Sequence, residues 1–373
     1  LLGVYALAAL VNLGNLTLSN DYATHTTRGG NDITINPKGT PVEKVSAGLD
    51  RDYITNWSYG IGETFTLISP NVKGGGSFPI QNSQFESAVE AALENNLIDD
   101  AQAAYAMRYP AYWGDQPFTS GPVYIGIVIV VLAVMGLVFL PGRWKWYYLA
   151  IAVLMTMLAW GKNFMGLTDF FIDHVPGYAK FRTVTITLVV VELIAAVLAM
   201  TFLEYFCRNI ELFNAKKNQV FIASGAILLF LVLVKVVGLK DGYTNEFDRK
   251  QLADVQTSVL NELNSMGAEE VQKQLNIDLN NPQQVQLVLD AQVKNAEEKL
   301  NGVKIVRAEI FHSSLTRTIV FAFVTIGVLV AALFSLPIGI AAAAMVILSL
   351  LDLVPVASDY LGTEDITGEY KHY

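Results

Sequence analysis

The sequence predicts an all-α polytopic membrane protein with about seven spans, an extramembrane loop domain and a small helical insert. Of its 373 residues, 53% are hydrophobic and 16% are charged, whereas soluble domains carry about 25% charged residues. The mean hydropathy is +0.40. Several apolar runs reach the roughly 20 residues that a helix needs to cross a bilayer.

The apolar and polar runs divide the chain into parts. The first residues lack both an initiator Met and the basic region of a signal peptide, and the sequence stops shortly after its last apolar run, so we expect both ends to lie within a longer chain. The predicted parts are a transmembrane segment (1–19), an extracytoplasmic loop domain (20–120), four spans with an external loop at 161–182 (121–239), an extracytoplasmic helical insert (240–317), a transmembrane hairpin (318–356) and an external tail (357–373).

Basic residues set the predicted orientation. Arg143 and Lys145 follow the span at 122–140, and Lys216 follows the span at 184–203. Cytoplasmic loops are enriched in Lys and Arg, so both turns are predicted to face the cytoplasm and the loop domain the outside. The net charge of −9 argues against a nucleic-acid partner, because binding phosphate needs a basic surface.

The insert has the pattern of paired helices. Asn281-Pro282 is a helix-start signal, and Asn301-Gly302 is predicted to end the same helix. Its apolar residues recur at helical spacing, which is typical of packing surfaces. We therefore expect the insert to be dispensable for any chemistry.

Charges crowd into the external loop at 161–182. Asp169 and Asp173 are four residues apart, so on a helix they would share one face, where they repel each other unless a cation is near. Lys180 or Arg182 is expected to be that cation, or to bind a phosphate together with Lys162. The alternative is that these charges only flank membrane helices, with side chains reaching for the interface.

Two patches of the loop domain, 50–73 and 109–122, mix aromatic residues with single carboxylates. Sugars pack on aromatic rings while their hydroxyls bond to carboxylates and amides, so these patches are candidates for binding a sugar or acceptor. An aromatic belt over the membrane surface is the alternative. The candidate residues are Trp57, Tyr59, Glu63, Trp113 and Gln116.

Glu192 lies inside the predicted span at 184–203. A carboxylate there is costly and is a functional candidate by default, although a structural role remains open. The single Cys207 excludes a disulfide within this sequence, and the four scattered histidines form no metal-ligand spacing. We expect no metal and no cofactor.

An ordered series of motifs resembles the bacterial YfhO family of polytopic membrane proteins. The match extends over about Tyr22 to Tyr360 and omits the insert. The motifs are T-R-G-G (27–30), G-L-D-R-D-Y-I-T-N-W-S-Y-G-I-G-E (48–63), S-P-N-V-K-G-G (69–75), Y-W-G-D-Q-P-F-T-S-G-P-V-Y (112–124), W-G-K-N-F (160–164), D-F-F-I-D-H-V-P-G-Y-A-K-F-R (169–182) and L-L-D-L-V-P-V (350–356).

The resemblance implies a GT-C type glycosyltransferase in the bacterial cytoplasmic (inner) membrane. Such an enzyme transfers a sugar from a polyprenyl-phosphate donor to an extracytoplasmic glycan, lipid or cell-envelope polymer. Its catalytic carboxylate usually lies in the first external loop, which here would precede Leu1. Within this sequence the expected catalytic candidates are Asp169, Asp173 and Asp115, and the expected donor-phosphate ligands are Arg182, Lys180 and Lys162. The alternatives are a lipid or small-molecule transporter or flippase that uses Glu192, and a non-catalytic envelope-assembly protein.

Overall fold

The computed structural model describes residues 3, 7, 10–24, 26, 49–77, 83–238, 242–267, 271–273 and 277–361. These residues form helices and connecting loops without a strand, which confirms the all-α prediction. The helices are α1 (Leu13–Thr24), α2 (Arg51–Thr55), α3 (Ser83–Glu94), α4 (Asp100–Ala106), α5 (Ile127–Phe139), α6 (Trp144–Ala159), α7 (Met165–His174), α8 (Leu188–Arg208), α9 (Ile210–Ala215), α10 (Lys217–Val237), α11 (Glu246–Met266), α12 (Pro282–Phe334) and α13 (Ile338–Ser358). Short 3-10 turns cover Gly62–Leu67, Gly161–Phe164, Tyr178–Lys180 and Val184–Thr187.

The described helices are those of a membrane-embedded protein, but the count of seven spans is not confirmed. Four are long and apolar enough to cross a bilayer: Val184–Arg208, α10, α12 and α13. Helix α6 and the segment Gly161–His174 together would add a fifth, although they meet at a bend of 114°. Of the predicted first span (1–19), the structure describes residues 3, 7 and 10–19, and α1 begins at Leu13.

Backbone geometry explains two of the missing spans. Helix α5 has 13 residues, fewer than the roughly 20 that a span needs, because it starts only after Gly126 at φ 96°. Gly161 has φ 45° and ends α6. Positive φ is a conformation that glycine adopts readily and that a continuous α-helix does not contain.

The second helix of the predicted insert and the first span of the predicted hairpin (318–356) form one helix, α12, with 53 residues. At 1.5 Å per residue it is about 80 Å long, more than twice the ~30 Å apolar thickness of a bilayer. Asn281 caps its start as predicted, but the predicted end at Asn301-Gly302 is wrong. A Cβ at Gly302 would lie 2.8 Å from Cβ of Gln102, so this glycine serves close packing against α4.

The described chain divides into two compact units, of which the first comprises residues 1–61 and 150–191. Its core joins Leu49, Ile54 and Val184. The N–H of Leu49 donates to the carbonyl of Ala179 at 2.9 Å, and the N–H of Tyr59 donates to that of Ala159 at 2.8 Å. The stretch around α2 is therefore fastened to the segments on both sides of α7.

The second unit, residues 62–149 and 192–373, is built on α12. Helices α3 and α4 pack against its polar half, and α5 and α10 pack against its apolar half. Residues of the predicted insert thus share one core with residues of the predicted loop domain. Removal of the insert would expose this shared core. Core residues on the polar half include Phe85, Val89, Ala92, Ala103, Leu300, Val306 and Ile310.

A buried ion pair crosses this shared core. The side chain of Arg307, on α12, is 1% exposed and donates to Oδ2 of Asp248, on α11, at 2.6 Å. Its other nitrogen donates to the carbonyl of Pro110 at 3.0 Å. The hydroxyl of Tyr109 donates to Oδ1 of Asp248 at 2.9 Å, and burial raises the pKa of Tyr109 above its ordinary value. These contacts hold α11, α12 and the chain after α4 together.

A second buried carboxylate, Asp352 of α13, joins the apolar helices. It accepts from the hydroxyl of Tyr124 at 2.7 Å and from the N–H of Ile127 at 2.8 Å. Arg317 of α12 is its ion-pair partner at 3.0 Å. Asp352 and Tyr124 come from two of the motifs quoted above, and here they fix the start of α5 against α13.

Candidate functional site

The first unit brings Asp169 and Asp173 together on one face of α7, as their spacing predicts. Arg51, at the start of α2, donates to both carboxylates, at 2.7 Å to Asp173. The hydrogen bond to Asp173 is the main cause that raises the pKa of Arg51. Arg51 is thus a cation of this pair, whereas the guanidinium of Arg182, one of the two expected cations, contacts Tyr53 and Trp57. Both carboxylates remain accessible, with 41% and 47% of their side chains exposed.

Arg182 lies against two aromatic residues that follow Arg51 in the chain. One guanidinium nitrogen donates to the hydroxyl of Tyr53 at 2.7 Å. Its Cζ atom is 5.6 Å from the ring centre of Tyr53 and 5.8 Å from that of Trp57, within the range of a cation–π contact. Residues 51–57 therefore contact both the acid pair and Arg182. We call these residues the α2 cluster: Arg51, Tyr53, Trp57, Asp169, Asp173 and Arg182.

Lys162 and Lys180, the other predicted phosphate ligands, belong to the same unit. The backbone N–H of Lys162 donates to Oγ of Ser58 at 2.8 Å, while its side chain is exposed. Lys180 is half-buried in the turn before Arg182. The structure thus retains Lys162 as a surface cation.

Gly161 positions this loop, which gives a testable prediction. Replacing it by Ala should destabilise the first unit by about 1–3 kcal/mol, because the residue has positive φ. The added Cβ would also lie 2.1 Å from Oγ of Ser58. Gly166 is the matched control. It lies in α7, and a Cβ added to it would have no described atom of another residue within 4 Å, so Gly166→Ala should be neutral or stabilising. Thermal unfolding of the two variants in detergent measures the difference, and equal melting temperatures would contradict it.

Three predicted catalytic or sugar-binding residues, Glu63, Asp115 and Gln116, form a hydrogen-bond network in the second unit. Glu63 is 1% exposed. It accepts from the hydroxyl of Tyr112 at 2.5 Å, from the N–H of Asp115 at 3.1 Å and from the side-chain amide of Gln116 at 3.3 Å. Burial raises the pKa of Tyr112 above its ordinary value, so this hydroxyl stays a proton donor. Glu63 is therefore a satisfied core carboxylate that holds the 112–116 turn.

The predicted aromatic sugar platforms differ in exposure. Tyr59 and Trp113 are each 1% exposed, so they are core residues here and offer no ring face to a sugar. Trp113 packs with Val72, Phe311 and Leu315. Trp57 is half-buried beneath Arg182. Composition identified these patches, but the structure uses most of their members for packing.

Glu192 lies in the second turn of α8 and lines an open cleft of about 390 Å³ in the second unit. The other lining residues are mainly apolar. The predicted intramembrane candidate is therefore accessible from the surface of this unit.

Comparison with known proteins adds no relative: no family model, no curated protein and no solved structure matches the chain. The resemblance to the YfhO family stays a prediction. Arg51 and Tyr53 are the cluster members that sequence reasoning missed. The available signal was the D-R-D-Y run at 50–53 together with the need of two neighbouring carboxylates for a cation.

Proposed function

We propose that this protein is a membrane glycosyltransferase of GT-C type that uses a polyprenyl-phosphate sugar and acts on an extracytoplasmic glycan, lipid or cell-envelope polymer. The observation that carries the proposal is the α2 cluster, where an exposed acid pair and an exposed arginine are held by the same short stretch of chain. The cluster lies beside the start of the apolar segment Val184–Arg208. We place it on the outer face of a bacterial cytoplasmic membrane.

Arg182 is the proposed ligand of the donor phosphate. Within the described part of the chain, its guanidinium forms one hydrogen bond, to Tyr53, which leaves further N–H groups for phosphate oxygens. The planar guanidinium can bind phosphate through two parallel bonds. Arg182 lies two residues before the apolar segment Val184–Arg208, where the phosphate of a membrane-bound lipid would arrive. The rings of Tyr53 and Trp57 hold the guanidinium in place.

The acid pair is the proposed general base. Asp169 or Asp173 takes the proton of the acceptor hydroxyl while the oxygen of that hydroxyl attacks the anomeric carbon of the donor sugar. The bond from that carbon to the phosphate oxygen breaks with inversion, and the polyprenyl phosphate leaves with the electron pair, stabilised by Arg182. Arg51 uses Oδ1 of each carboxylate, so Oδ2 faces no hydrogen-bond partner among the described residues. Asp115 belongs to the other unit and is left out of this assignment.

Donor binding tests the role of Arg182. Arg182→Ala should weaken binding of a radiolabelled polyprenyl-phosphate hexose by roughly tenfold to a hundredfold, the loss of about 1.5–3 kcal/mol expected for a charge-assisted contact. Arg182→Lys should bind less tightly than Lys180→Arg, because a lysine cannot form the paired bonds.

The matched control is Arg143→Ala, which removes an exposed arginine from the second unit. It should leave the dissociation constant unchanged. If Arg182→Ala bound the donor as tightly as this control, Arg182 would only contact the membrane interface, and the assignment would fail.

A further inference from the structure

Glu192 lines a cleft in the second unit of the protein. Its volume of about 390 Å³ lies within the size range of small-ligand sites. Its walls come from the loop before α5, from α8 and from the end of α13. The lining residues are Gly121, Pro122, Val123, Tyr124, Glu192, Leu353, Val356, Ala357, Tyr360 and Leu361.

The walls of the cleft are fixed by contacts that do not involve Glu192. The hydroxyl of Tyr124 donates to the buried Asp352 at 2.7 Å, and the hydroxyl of Tyr360 donates to Asn71 at 2.8 Å. A Cβ at Gly121 would lie 3.1 Å from the ring of Tyr360, so the loop and this ring are closely packed. Both tyrosine hydroxyls are therefore already engaged.

Glu192 differs from the other polar residues of the cleft. Within the described part of the chain, its carboxylate has no hydrogen bond and no ion pair. It lies in an apolar helix long enough to cross a membrane, where an ionised carboxylate is costly unless a cation accompanies it. The described lining of the cleft includes no Lys or Arg.

We propose that the Glu192 cleft binds a lipid whose head group carries a protonated primary amine. The ammonium group donates to the Glu192 carboxylate, and the apolar side chains of Pro122, Leu353 and Val356 contact the lipid's hydrocarbon part. An anionic head group lacks the complementary charge. The site does not depend on the proposed transferase activity, so it would exist in a protein that transferred no sugar.

Lipid binding to the full chain in detergent tests this site. The probes are phosphatidylethanolamine with a fluorescent acyl chain and the same lipid with its amine acetylated, which removes the positive charge and leaves the tails unchanged. Fluorescence anisotropy measures both dissociation constants. The wild-type protein should prefer the free amine by roughly tenfold to a hundredfold, the range expected for a charge-assisted contact.

Three variants locate the preference. Glu192→Gln keeps the side-chain shape and should bind both lipids equally. Ala357→Trp, at an exposed lining position, should weaken binding of both lipids by filling the cleft. Glu204→Gln is the control on the same helix, since Glu204 is exposed and pairs with Arg208, and it should keep the wild-type preference. Melting temperatures confirm that each variant is folded.

Equal wild-type binding of the two lipids would overturn the proposal, as would a preference that survives in Glu192→Gln. Strong competition by free ethanolamine at low concentration would also contradict it, because the site would then recognise the amine without the lipid.

Discussion

Replacing Arg307 by Met is expected to lower the free energy of unfolding by about 3–5 kcal/mol, the loss typical of breaking a buried ion pair. The side chain of Asp248 is fully buried. In the variant it would keep its bonds from Tyr109 and from the N–H of Asn245 but lose its countercharge. A buried carboxylate without a cation costs more than the lost packing of the arginine.

Unfolding of the detergent-solubilised protein by heat or denaturant measures this effect. Tryptophan fluorescence is a suitable signal, because Cζ of Arg307 lies 5.7 Å from the ring centre of Trp113. Arg249→Met, at an exposed position of α11, the helix that carries Asp248, is the control and should change stability by less than about 0.5 kcal/mol. Adding Asp248→Asn to Arg307→Met should recover part of the loss. If Arg307→Met alone were as stable as the Arg249→Met control, the ion pair of Arg307 and Asp248 would contribute nothing to stability.

Replacing Asp169 and Asp173 together by Asn is expected to reduce sugar transfer by about 10²–10⁴-fold, the range for removal of a general base. The double change is needed because both carboxylates share Arg51 and lie on one helix face, so either could take the proton alone. Donor binding should stay within a few fold of wild type, since Arg182 is retained. The loss should therefore appear in kcat, as expected for a group that acts in the transition state.

Asp52→Asn is the matched control for the acid pair. Asp52 is exposed, lies next to Arg51 on α2, and its removal also takes a negative charge from the same surface. Transfer by this variant should equal wild-type transfer. If the Asp52 variant lost as much activity as the double variant, the effect would reflect the total charge of the surface and the acid pair would not be the base.

The local parts of this structure follow from local sequence. Asn281-Pro282 begins α12 because the Asn side chain caps the helix and proline tolerates its first position. Asp169 and Asp173 share a face because they are four residues apart on α7. The helical, membrane-embedded character follows from composition and the length of the apolar runs.

The number of spans could not be predicted in the same way. Hydropathy measures how apolar a segment is, but backbone conformation decides where a helix starts and ends. Gly126 and Gly161 adopt positive φ within or beside apolar runs, and they shorten or end the helices there. Gly302 shows the opposite case: a glycine after asparagine predicts a helix end, yet the missing side chain of Gly302 lets α4 approach α12.

The sites depend on contacts between distant residues, which a single sequence does not reveal. Arg51 is 118 residues from Asp169. Its role as the common cation of Asp169 and Asp173 depends on how α2 packs beside α7. Glu63 and Trp113 occur in patches with the composition of a sugar site. Whether such residues are exposed depends on the fold, and here both are buried.

Sugar transfer by the wild-type protein tests the central claim most directly. The full chain would be reconstituted in liposomes and incubated with radiolabelled polyprenyl-phosphate hexoses and an extracytoplasmic envelope fraction as acceptor. We predict that label enters the acceptor, that unlabelled polyprenyl phosphate is released in equal amount, and that the double variant of Asp169 and Asp173 slows both by about 10²–10⁴-fold. A folded protein that binds the donor through Arg182 but moves no label into the acceptor from any donor would contradict the transferase assignment and favour a lipid transporter.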